Sequence, residues 1–142
     1  MTIHPRPDPS LRARRLSPRE CRERLIRCHE GRLAYSSGRG PRCLVINYAV
    51  HDDEIVLRVP EFNEICQYAP GCEVCLVIDE VVGADSEWVE VTASGVASVV
   101  DHREYTSRDR DDLDEVWPLG VTASTLRVPI AQLHGVVQET HG

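Results

Sequence analysis

The chain has 142 residues, room for one domain and little more. Its apolar content of 42% supports one packed core and argues against wholesale disorder, and a net charge of −7 disfavours binding to a phosphate backbone. No stretch approaches the ~18 apolar residues of a membrane span, and no apolar run follows the early arginines, so neither a membrane partner nor export is expected and the cytoplasm is the predicted compartment.

Aromatic residues are scarce, so Val and Leu must fill the core, which leans the chain toward strands. Residues 1–15 set Arg6, Arg12, Arg14 and Arg15 against Asp8 alone and read as a basic flexible tail. The folded domain is expected over residues 16–139. Ser17-Pro18-Arg19-Glu20 is a helix start, with Ser17 as cap, Pro18 at the first helical position and Glu20 completing a capping box. Leu16 and Cys21 are spaced for a hydrophobic staple across that cap. Cys21, Leu25 and Cys28 recur at helical spacing, and Gly31 supplies a stop.

Three strands follow, over 32–37, 42–50 and 54–59, separated by turns at Gly38–Pro41 and His51–Asp53, which predicts an antiparallel meander. A short helix is predicted over 61–69. Long strands are predicted over 73–82 and 88–100, with Gly95 marking a bulge or bend. Asp101 caps a charged helix to about Val116, Trp117-Pro118-Leu119-Gly120 breaks it, and short strands close the chain near 124–129 and 135–139. Antiparallel strands with peripheral helices predict a closed barrel, since closure removes exposed edges.

The order of these motifs resembles the pyridoxamine-phosphate-oxidase-like split β-barrel family, and its short bacterial members in particular. The likeness rests on Gly31-Arg32-Leu33-Ala34 at the step into the first strand, Val45-Ile46-Asn47-Tyr48 on the next, and Asp52 to Val59 after it. Trp88-Val89-Glu90-Val91, Trp117 to Gly120, Leu126 to Pro129 and Leu133-His134-Gly135 continue it. The resemblance implies a mainly β antiparallel split barrel that binds flavin mononucleotide (FMN) between the subunits of a homodimer and works as an oxidoreductase. Carried over by position, it implies that Val45, Asn47 and Tyr48 line the flavin ring, largely through backbone, that Arg58 grips the phosphate, and that Trp88 lies near the site from the partner subunit.

An arginine suits that role, because guanidinium meets a phosphate bidentately. The family stretch Arg-Thr-x-x-x-x-Lys reads here Arg58-Val59-Pro60-Glu61-Phe62-Asn63-Glu64, so the hydroxyl has become Val59 and the lysine Glu64. An anion in place of a cation opposes phosphate binding. Three outcomes are compatible with this: flavin held by Arg58 with a second cation such as Arg42 or Arg127, another cofactor such as a deazaflavin or a heme, or a cofactor-free dimer. The C-terminal Val136 to Gly142 lacks the basic segment of the vitamin B6 oxidases, so another substrate is expected.

Other constellations carry less. Cys72-Glu73-Val74-Cys75 has no second pair to complete a zinc set, and its side chains fall on opposite sides of a strand, so the cysteines are expected to be buried structural thiols. The six histidines show no telling spacing, the acidic run around Asp111 lacks the loop glycine that calcium needs, and no metal is expected.

Overall fold

The computed structural model describes residues 11–60, 63–83, 87–100 and 123–140. The expected helix over 101–116, the Trp117–Gly120 break and residues 1–10 of the expected tail lie outside them.

The first helix, α1 (Pro18–Arg27), begins as its sequence dictates. The Glu20 amide donates to Ser17 Oγ and the Ser17 amide to Glu20 Oε1, both at 3.2 Å. It ends at a Cys28 cap rather than at Gly31. Gly31 instead lies inside the strand β2 (Glu30–Ser37), where an added Cβ would come within 2.8 Å of Leu76 Cδ1 and 2.9 Å of the Val77 carbonyl oxygen. The glycine is there for close approach between strands.

The three-strand meander forms as β2, β3 (Gly40–His51) and β4 (Glu54–Pro60), neighbours in the sheet and antiparallel throughout. Asp52 and Asp53 both take positive φ, 48° and 70°, as a tight hairpin turn with the twist of its strands requires. The next helix, α2, is a single turn over Ile65–Tyr68, begun where the Ile65 amide donates to Asn63 Oδ1. The remaining strands are β5 (Glu73–Val82), β6 (Glu87–Val96), β7 (Ser98–Val99), β8 (Ala123–Pro129) and β9 (Gln132–Thr140).

Part of the expected tail is structured. Leu11–Arg15 forms β1, paired antiparallel with β9 from Leu11↔Thr140 to Arg15↔Val136. The open edge of β9 offers a backbone ladder, and Glu20 holds Arg14 at 3.3 Å, which together override the polar composition.

The strand order is β1-β9-β6-β5-β2-β3-β4-β8-β7, and the sheet curls because two stretches of chain change partner along their length. β6 pairs with β5 and β9, breaks at Ala97, and resumes as β7 against β8. β8 pairs with β4, breaks at Ile130–Ala131, and resumes as β9 against β6. The two breaks meet. The Ala131 amide donates to the Ser94 carbonyl at 2.8 Å, and a Cβ on Gly95 would lie 2.0 Å from the Pro129 carbonyl oxygen. Gly95, expected at a bulge or bend, stays in regular register opposite Val74 and serves this close approach instead. The result is the expected antiparallel split barrel with peripheral helices, its two halves sharing β3 and the two broken strands.

The inward faces of both halves build one aliphatic core, including Leu33, Ile46, Ile55, Leu57, Leu76, Val91 and Leu126. Helix α1 sets Cys21 and Leu25 into it. Leu16 and Cys21 close on Gly135, where an added Cβ would meet Cys21 Sγ at 2.6 Å. Of the six cysteines, all of them free thiols, only Cys21 is buried; Cys43 and Cys72 are exposed, correcting the expectation of buried structural thiols.

Candidate functional site

Alternation along β3 decides which of its residues can meet a ligand. Ile46 and Tyr48 point into the core, Tyr48 only 1% exposed, and the Tyr48 hydroxyl donates to the Leu25 carbonyl oxygen at 2.8 Å. Burial pushes that phenol well above its ordinary range. Val45 and Asn47 point the other way, Val45 being 65% exposed. The expected ring-lining set is therefore split: Val45 and Asn47 share an outer face, while the Tyr48 side chain ties β3 to α1. Only the backbone of Tyr48 is left for contact on that face.

On β4, Ile55, Leu57 and Val59 belong to the core, which turns Val56 and Arg58 outward. Tyr48 pairs with Leu57, both facing in, so Asn47 and Arg58, one step along the same ladder, share the outer face. Thr125 of β8 stands directly opposite Arg58, and Arg127 opposite Val56. Arg127 Nε donates to Ser98 Oγ at 3.4 Å across the β7–β8 pair. This face is more than a wet exterior, since Val56 and Thr125 are 1% and 4% exposed although they point away from the core.

The expected opposition between Glu64 and Arg58 takes a different form. The Glu64 carboxylate accepts a hydrogen bond from the Tyr35 hydroxyl and pairs with Arg42 Nε at 3.7 Å. Tyr35 is a core residue and Arg42 is its cross-strand partner on β3, so both lie on the inward side, opposite to Arg58. Burial first, and then the Glu64 carboxylate, push the Tyr35 phenol up to about 12. Of the two second cations that sequence suggested, Arg42 is engaged with Glu64 on the inward side, and Arg127 shares the face of Arg58.

Trp88 lies elsewhere. It sits on the outer face of β6, 37% exposed and opposite Val81 and Gln138, with β5 and β2 between it and β3. At ~4.8 Å per strand, that is about 14 Å from the Asn47 face within one copy. Among the described residues, no three His, Cys, Asp or Glu side chains converge as a metal set, and no helix is long and apolar enough to cross a membrane.

The pyridoxamine 5'-phosphate oxidase family model matches residues 17–136, nearly the whole chain. The chain belongs to this family. A search of curated proteins finds no match. Among solved structures, the chain is similar to an FAD binding protein from Mycobacterium smegmatis, with a TM-score of 0.71 and 20% identity, covering 91% of this chain and 100% of that one. It is similar to an FAD-binding protein from Mesorhizobium loti, with a TM-score of 0.70 and 21% identity over 88% and 97% of the two chains. A heme binding protein from Mycobacterium smegmatis also resembles it, with a TM-score of 0.63 and 18% identity, over 78% of this chain and 50% of that one. At these identities the likeness establishes the split-barrel fold, which the other family members share.

Proposed function

We propose that this family member binds a flavin, FMN in the first instance, on the outer face of β3 and β4, and works as a cytoplasmic homodimeric oxidoreductase on a small molecule. The observation that carries the reading is the adjacency of Asn47 and Arg58 on one face, with exposed Val45 beside them. A flavin needs an apolar surface for its ring, a polar group at the ring edge and a cation for its phosphate. Val45, Asn47 and Arg58 are those three groups. Glu64 presents no obstacle, because Tyr35 and Arg42 hold its carboxylate on the other side.

In this reading Arg58 holds the phosphate, Val45 excludes water from one ring surface, and the Asn47 amide hydrogen-bonds at the ring edge. When bound, the flavin supplies hydride transfer; the chain positions it and tunes its surroundings. Exposed Val45, Val81, Trp88 and Val96 all lie on outer sheet faces, which supports their burial against a second copy. Trp88 then reaches the site from the partner subunit. Six free thiols fit a reducing compartment.

Flavin titration followed by fluorescence quenching tests the proposal. The wild-type chain should bind FMN in the micromolar range, and Arg58→Ala should weaken it by about 10- to 100-fold, the effect of losing a charge-assisted hydrogen bond. No binding at millimolar flavin overturns it. The resemblance to a heme binding protein supplies a second reading, and a Soret band on adding hemin, without flavin quenching, selects it.

A further inference from the structure

The outer face of the candidate site continues past Asn47 onto β2. Glu30 stands directly opposite Asn47 in the β2–β3 ladder, where paired side chains begin about 4.5–5.5 Å apart at Cβ. Gly31, one step along, is buried on the core side, so Glu30 points outward with Asn47. Glu30 is exposed, and among the described residues it has no ion-pair partner, Arg32 on the same face included.

Two further carboxylates share that face at growing distance. Arg32 pairs with Val77 of β5, so the next step on this face sets Asp79 beside Glu30, and Glu90 of β6 stands directly opposite Asp79. At ~4.8 Å per strand, Asp79 and Glu90 lie about 10 Å and about 14 Å from Asn47. Salt at physiological strength screens charges over about 8 Å. Glu30 lies inside that length and the other two lie beyond it, so of the three only Glu30 acts strongly at Asn47.

We infer that Glu30 tunes the bound flavin, lowering its reduction potential and making it a stronger electron donor. The inference rests on the flavin reading, which sets the ring edge at Asn47. An oxidised flavin ring takes up two electrons and one proton, and so gains one negative charge. A fixed carboxylate at the ring edge opposes that gain and leaves the neutral oxidised ring almost untouched. Charge near the ring nitrogens is one of the levers by which a protein sets a flavin's electronics. Glu30 so placed directs the site toward passing electrons to its substrate.

The test measures, on the full chain, the affinity for FMN and the midpoint potential of bound FMN in wild type, Glu30→Gln, Glu30→Asp and Asp79→Asn. Glu30→Gln keeps the shape of the side chain and removes its charge. It should favour the reduced ring by about tenfold, a rise of about 30 mV for a two-electron couple, with affinity for oxidised FMN within about threefold of wild type. Glu30→Asp keeps the charge and should stay closer to wild type than Glu30→Gln does. Asp79→Asn, beyond the screening length, should shift the same ratio by less than about twofold. An unchanged midpoint in Glu30→Gln, with FMN bound and its binding dependent on Arg58, overturns the inference and leaves the flavin reading standing. A rise in Asp79→Asn as large as that in Glu30→Gln also overturns it, because the effect then belongs to overall charge. No binding of FMN by wild type removes both.

Discussion

Each half of this barrel sets a pair of like charges on its outer face, and the two pairs differ in surroundings. On the first half, Asp79 of β5 stands directly opposite Glu90 of β6, with Asp79 exposed and Glu90 half-buried. On the second, Arg58 and Arg127 lie diagonally about buried Val56 and Thr125. Water screens the carboxylates, so their repulsion costs only tenths of a kcal/mol. The arginines lie beside buried side chains, where screening is weaker. Net charge therefore describes the solvated acidic pair and says little about the surroundings of the arginines.

The sharpest way to break this contrast is at the crossing where the halves meet. Gly95→Ala drives a Cβ toward the Pro129 carbonyl oxygen, and a backbone atom held in the β4–β8 ladder has little freedom to yield. A loss of about 3 kcal/mol, read as a lower urea midpoint, is expected. An unchanged midpoint would show that the halves are not pinned there.

Alkaline pH probes the inward side of the first half next. The folded Tyr35 phenol ionises only at about 12, above its ordinary 10.0. A raised pKa means that the stability contributed is complete below about pH 10 and is lost as pH rises through about 12. Urea unfolding across that window should show the fall, and Tyr35→Phe should flatten it.

Adjacent residues on β3 then separate structure from site. Tyr48→Phe removes the hydrogen bond to the Leu25 carbonyl and should cost about 1 kcal/mol, with flavin affinity unchanged. Asn47→Ala should do the reverse, weakening flavin several-fold at constant stability. The smallest effect belongs to the acidic pair. Asp79→Asn should stabilise the chain by a few tenths of a kcal/mol at low salt, a gain that added salt erases.

Much of the fold was legible because its signals are local. The Ser17-Pro18-Glu20 cap, the Asp52-Asp53 turn and the alternation of β2 to β6 each depend on neighbours in sequence. What escaped depends on distant chain. β1 forms because β9, at the other end of the sequence, has an open edge. The direction of Glu64 is set by Tyr35 and Arg42, and the neighbourhood of Arg58 and Arg127 by the β4–β8 register. Tyr48 is a different kind of miss: the alternation that separates it from Asn47 was visible, but a contiguous motif reads as one lining surface until a strand divides it.

The partner exchange at Ala97 and at Ile130–Ala131 bears on how such a chain acquires its structure. Neither half can assemble first and wait for the other, because β3 and both interrupted strands contribute hydrogen bonds to each. Assembly must bring remote segments together before either gains much, a requirement that slows folding but makes unfolding all-or-none.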